Sequence, residues 1–173
     1  FSPNNRISAY DPLAVLEGVD SYNLESVDLY MYNAAGAPDV VNVKVATYDT
    51  DPLMPVDILF DQDLEFDETG GVVPVRVPVA LMDLTSPVAV WLNYDASAGN
   101  VGLLLDDGTP FFGNEYVFDG EAEDWFMTGL GHFIYANVTY PTFARLQVVH
   151  NAADPAAALF DICVNGGVLL EDF

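Results

Sequence analysis

Apolar and polar residues alternate with a period of two along much of the chain, the mark of strands with one buried face. Over residues 72–81 the odd positions Val73, Val75, Val77, Val79 and Leu81 share a face, while Pro74, Arg76, Pro78 and Ala80 hold the other. Prolines cannot supply the N–H that a central strand needs, so this segment is expected to be an edge strand or the start of one. Residues 41–49 set Val41, Val43 and Val45 against Asn42, Lys44 and Ala46. Residues 24–32 set Val27, Leu29 and Met31 against Asp28, Tyr30 and Tyr32. Residues 87–95 and 131–139 follow the same rule, and shorter strands are expected over 56–60, 101–105 and 115–118. Only 12–19 and 152–158 have room for a short helical turn. Many short strands between turns predict an all-β fold, an antiparallel β-sandwich of jelly-roll type.

A boundary is expected at Tyr140-Pro141-Thr142-Phe143. Residues 1–140 hold enough strands to close a jelly-roll-like sandwich. Residues 141–173 offer a linker and a β-hairpin, which is at best marginal alone. This tail reads as the opening of a truncated second β domain, or as an assembly tail. Its apolar end, Val168, Leu169, Leu170 and Phe173, is the candidate assembly contact, completing the sheet of a neighbour.

Charge narrows the partners. The chain has 173 residues, 27 acidic and 4 basic, for a net charge of −23. Nucleic acid is excluded, because binding it requires Lys and Arg against phosphate. Hydrophobic residues make up 51% of the chain, with 11 Phe and 9 Tyr, which argues against disorder. No apolar run approaches the roughly 18 residues of a membrane span, so no membrane insertion is expected. A single cysteine, Cys163, excludes an intramolecular disulfide and a cysteine zinc site. The start at Phe1, without a leader, reads as a processed or excised piece.

The same acids supply the first chemical candidate. Clusters at Asp49-Thr50-Asp51, 61–68, Asp106-Asp107 and 119–124 are expected in loops, where neighbouring carboxylates suit calcium. The candidate calcium ligands are Asp119, Glu121, Glu123 and Asp124, around a turn at Gly120; the bland alternative is a solvated acidic rim. No catalytic residue is expected. His132 and His150 accompany no nucleophile motif and read as structural. Trp91, Trp125 and Tyr116 are candidate ligand-binding residues, since flat rings stack on sugars, though such residues more often pack in a core. Trp91 falls on the face of Ala89 and Asn93, opposite Val88, Val90 and Leu92.

The run Ala144-Arg145-Leu146-Gln147-Val148-Val149-His150-Asn151-Ala152-Ala153-Asp154-Pro155, followed by Phe160-Asp161-Ile162-Cys163-Val164-Asn165-Gly166, resembles the start of a bacterial cell-surface domain family of unknown function. That family opens A-R-x-x-V-V-H and continues V-D-V-Y-V-D-G; Cys163 departs from it where the pattern prefers an aromatic. Residues 1–140 loosely resemble non-catalytic jelly-roll modules of secreted Bacteroidota proteins. The likeness lies in Val43-Lys44-Val45-Ala46-Thr47-Tyr48-Asp49 and in Trp125-Phe126-Met127-Thr128-Gly129-Leu130-Gly131-His132-Phe133-Ile134-Tyr135-Ala136. The resemblance implies a bacterial extracellular or cell-surface setting without catalysis. The expected function is a non-catalytic module for adhesion or extracellular assembly by strand sharing, with copies of itself or cell-surface proteins as partners. The alternative is a carbohydrate-binding accessory module of a larger secreted enzyme, with glycans as partners. Calcium is the one cofactor expected.

Overall fold

The computed structural model describes residues 5–14, 18–34, 37–50, 53–67, 70–106, 115–119, 124–128, 130–141, 162–164 and 167–170. The chain divides into two compact units, Phe1–Pro141 and Thr142–Phe173. In the first, the alternating segments form β1 (Arg6–Tyr10), β2 (Tyr22–Asn33), β3 (Asp39–Thr50), β4 (Leu53–Phe66), β5 (Gly71–Leu84) and β6 (Val88–Asn93). Shorter strands follow: β7 (Val101–Leu103), β8 (Leu105–Asp106), β9 (Glu115–Asp119), β10 (Asp124–Met127), β11 (Gly131–His132) and β12 (Ile134–Thr139). A 3-10 turn at Pro12–Ala14 falls inside the expected helical stretch.

Six strands make one sheet in the order β10-β9-β1-β6-β3-β4. The other centres on β2, with β5 along one side and β12 and β7 end to end along the other. All these pairs are antiparallel. The pairings β1 with β6, β2 with β5 and β3 with β4 are nested, and β6 also pairs with β3. That is one long hairpin rolled up so that its middle pair, β2 with β5, lies in one sheet, and its outermost and innermost pairs, β1 with β6 and β3 with β4, lie in the other. The fold is an all-β antiparallel sandwich on the jelly-roll plan.

The valine pattern explains why the sheets face each other. Val41, Val43 and Val45 of β3 and Val88, Val90 and Leu92 of β6 meet Leu24, Val27, Leu29, Met31 and Val77 from the opposite sheet, all fully or almost fully buried. Each such side chain stabilises the fold by about 1.5–3 kcal/mol relative to exposure. In β5 two residues with positive φ, Ala80 (53°) and Asp83 (54°), mark bulges that insert extra residues opposite β2. The insertions place Leu81 opposite Leu24 and Leu84 opposite Tyr22, so both leucines still pack on the core. As its prolines require, β5 lies at a sheet edge.

The acidic run 61–68 departs from its expected place. Residues 61–66 continue β4, which is much longer than the expected 56–60, and they pair with β3 in the register Lys44 to Asp61 and Asn42 to Asp63. An edge strand needs only one neighbour, so its outward carboxylates stay in water while Leu64 and Phe66 pack on the core. The expected strand 131–139 is broken at Phe133 into β11 and β12. β1 and β10 were absent from the sequence expectation. The 152–158 stretch lies outside the described residues.

In the second unit, β13 (Ile162–Val164) and β14 (Gly167–Leu170) form an antiparallel hairpin, with Cys163 opposite Val168.

Candidate functional site

Residues paired across antiparallel strands share a face of the sheet. Following the pairs across the six-stranded sheet gives the row Met127, Tyr116, Ile7, Trp91, Lys44 and Asp61, one residue from each strand. This row is out of phase with Val43, Val45, Val90 and Leu92, so it lies on the sheet's outer face. A second hydrophobic cluster forms there. Ile7, Ala9 and Ala89 make a buried floor, and the half-buried rings of Trp91, Trp125, Tyr116 and Tyr48 pack over it.

The three aromatics singled out in the sequence therefore converge on one surface. Trp91 and Trp125 meet edge to face with ring centroids 5.9 Å apart, and Phe118 packs against Trp125 at 5.3 Å. Lys44 Nζ stands 5.1 Å from the Trp91 ring centroid while pairing with Asp61 at 3.4 Å. Its charge is thus held between a π-face and a carboxylate. Asn42 donates to both Asp61 (2.6 Å) and Asp63 (2.8 Å). The Asn42 hydrogen bond, with Lys44 beside it, holds the Asp61 carboxyl below the usual range. The face grades from aromatic at β10 and β9 to amide at β3 and carboxylate at β4, a surface that can stack on a ring and bond to its hydroxyls. Met127 is 57% exposed at its aromatic end.

The calcium candidates divide. Asp119 and Asp124 are paired opposite each other at the ends of β9 and β10. Glu121 and Glu123 lie outside the described residues. Among the described residues no group of three His, Cys, Asp or Glu side chains is placed to hold a metal. Val168, Leu169 and Leu170 lie on β14, bonded to β13; Phe173 lies outside the described residues, as do His150 and Asp161.

A feature that residue chemistry alone did not reveal lies on the inner side of β1. Arg6 and Ser8 point inward and are 5% and 2% exposed; His132 of β11 meets both. Its Nδ1 is 3.0 Å from Ser8 Oγ and its Nε2 is 3.3 Å from Arg6 Nη1. A guanidinium only donates, so Nε2 must accept and the ring proton must sit on Nδ1, directed at Ser8 Oγ. Burial, with Arg6 adding to it, pushes the imidazole down to about 3. A neutral ring already protonated toward serine cannot take the hydroxyl proton. This is a Ser–His contact with the opposite polarity to a nucleophile and its base.

No protein-family model matches this chain, and no curated protein or solved structure matches it either. Its motif resemblances therefore stand on their own residues.

Proposed function

We propose that the chain is a non-catalytic, secreted or cell-surface β-sandwich module of bacterial type that works by contact, in adhesion or extracellular assembly. The observation that carries this reading is the convergence of Trp91, Trp125, Tyr116 and Met127, from three strands, on an outer sheet face of a molecule with 27 acids. An outer face that serves only solvation carries polar residues at those alternate positions, and apolar surface of this kind marks an interaction site. The partners in this reading are further copies of the chain or other cell-surface proteins.

Two edges favour contact through faces rather than through those strands. β5 carries Pro74, Pro78 and two bulges, and β4 carries Asp57, Asp61, Asp63 and Glu65, devices that discourage edge pairing. Strand sharing in this reading falls to the β13–β14 hairpin. Sedimentation velocity from about 5 to about 500 µM tests the reading, since association follows mass action. A mass that rises with concentration, and falls back in the Trp91→Ala/Trp125→Ala double variant, is expected. A monomer throughout contradicts assembly.

The second reading, a carbohydrate-binding accessory module, draws on the amides and carboxylates that share the face with the rings. It requires binding on a glycan array, and silence with and without calcium contradicts it.

A further inference from the structure

The outer face of the opposite sheet carries a second aromatic surface, built from residues that no pattern in the sequence connected. Tyr30 of β2 packs edge to face against Phe133 and against Tyr135 of β12, with centroids 6.1 Å apart in each pair. Tyr30 and Tyr135 are 40% and 49% exposed, and Val72 at the β5 margin is 57% exposed. Beside the rings, Arg76 of β5 donates from Nε and Nη2 to the two carboxylate oxygens of Asp28, at 2.6 Å each. Asp28, Tyr30, Pro74 and Arg76 line a shallow depression of about 350 Å³.

The pair is a presented hydrogen-bonding group rather than a buried staple. The Arg76 side chain is 68% exposed, and two of its five N–H groups are engaged by Asp28, which leaves three without a hydrogen-bond partner among the described residues. Its charge is also unusual in its setting. Of the four cations, Arg6 is buried, Lys44 is paired with Asp61, and Arg145 lies outside the described residues. The Arg76–Asp28 pair is neutral as a unit on a molecule of charge −23. An anionic chain approaching this face meets long-range repulsion, whereas an uncharged one meets none. Exposed rings beside a fixed, neutral, multidentate donor set match the apolar C–H faces and hydroxyls of a pyranose.

We propose that the face formed by Tyr30, Phe133, Tyr135, Arg76 and Asp28 binds uncharged polysaccharide. The proposal rests on the carbohydrate-binding reading but places ligand on the sheet opposite Trp91 and Trp125. Affinity electrophoresis through gels containing hydroxyethylcellulose, laminarin, mannan or alginate tests it. Retardation by at least one of the three neutral polymers and none by alginate is expected. The Tyr30→Ala/Tyr135→Ala variant should bind about tenfold more weakly, as loss of two ring contacts implies. Tyr30→Phe, which keeps the ring, should stay within about twofold of wild type. Both tyrosines are exposed, so unchanged thermal melts will confirm that the variants fold. Loss of binding in Trp91→Ala/Trp125→Ala alone, with the tyrosine variant unaffected, overturns this inference and leaves the carbohydrate reading standing. Absence of retardation by every neutral polymer overturns both. Loss of self-association in the tyrosine variant without any glycan binding assigns the face to a second copy and overturns it too.

Discussion

Asp39, the first residue of β3, accepts the hydroxyl of Ser97 at 2.8 Å and so ties the turn after β6 to the strand beside it. The same carboxylate accepts the backbone N–H groups of Ala98 (2.7 Å), Asn100 (2.8 Å), Val101 (3.0 Å) and its neighbour Val40 (2.8 Å). Burial alone would raise this carboxyl, but the hydrogen bonds from Ala98, Ser97, Val40 and Asn100 outweigh it and hold the group below the usual range. Five donors around one anion organise the start of β7 and the end of the sandwich where β3 begins.

Asp39→Asn turns an NH₂ toward some of those donors and leaves them unpaired in a buried site. A loss of about 2–4 kcal/mol is expected in urea melts at neutral pH. Because the folded-state value is depressed, the carboxylate's contribution is present above about pH 3.9 and fades as pH falls below it. The difference between wild type and Asp39→Asn should therefore shrink in acid. A variant as stable as wild type at neutral pH contradicts the anchoring role.

His132 gives the opposite chemical group the same sign of pH dependence. Its folded value of about 3 lies far below the ordinary imidazole value, so the unfolded chain binds the proton first. Stability from keeping the ring neutral is complete above about pH 6.5 and is lost as pH falls toward the folded value, by up to about 1.4 kcal/mol per pH unit. Between pH 6.5 and 5 most carboxylates are still ionised, so the slope there reports on histidine, and the His132→Gln comparison isolates the share of this one. Urea melts across that window should show it in wild type and a flatter profile in His132→Gln. Equal slopes mean that the ring titrates normally.

The bidentate bond from Arg76 is the main cause that brings Asp28 down to about 2. Removing it with Arg76→Met should return the Asp28 midpoint toward about 3.9, followed by carboxyl NMR. The change in folding free energy should be small, because the Arg76 side chain is 68% exposed and its charge is screened by water. An unshifted midpoint in the variant assigns the depression to another neighbour.

Asp57, Asp61, Asp63 and Glu65 lie along one edge strand of a molecule of charge −23. Their mutual repulsion is screened as the Debye length falls from about 30 Å at 0.01 M salt to about 3 Å at 1 M. Melting temperature should rise steadily with NaCl over that range. A further gain with millimolar CaCl₂, beyond NaCl of equal ionic strength and lost in Asp119→Asn/Asp124→Asn, would assign Asp119 and Asp124 to a discrete calcium site. A flat salt response contradicts the repulsion argument.

The legible parts of this fold are those where one face of a strand is uniformly apolar. The valines of β3 and β5 declared both strands, and the prolines of β5 declared its edge. β1 escaped notice because its inward residues are Arg6, Ser8 and Tyr10, while Ile7 and Ala9 face outward, so its polarity is inverted. The 61–66 half of β4 reads as a loop in the sequence because an edge strand tolerates carboxylates that a central one would not. The phase of Trp91 against Val90 and Leu92 was readable. Its meeting with Lys44 was not, since that depends on the register of β6 against β3. Tyr30 and Tyr135 likewise become neighbours only through the pairing of β12 with β2.

Trp91 and Trp125 are the chain's only tryptophans, and both belong to the outer cluster of the six-stranded sheet. Intrinsic fluorescence therefore reads that face alone. The most direct test of a contact module working through this face is acrylamide quenching of tryptophan emission as protein concentration rises from about 5 to about 500 µM. The expected result is a quenching constant that falls in step with the rise in sedimenting mass, as a second copy covers the rings. A quenching constant that stays level while the mass rises places the contact elsewhere and contradicts the account.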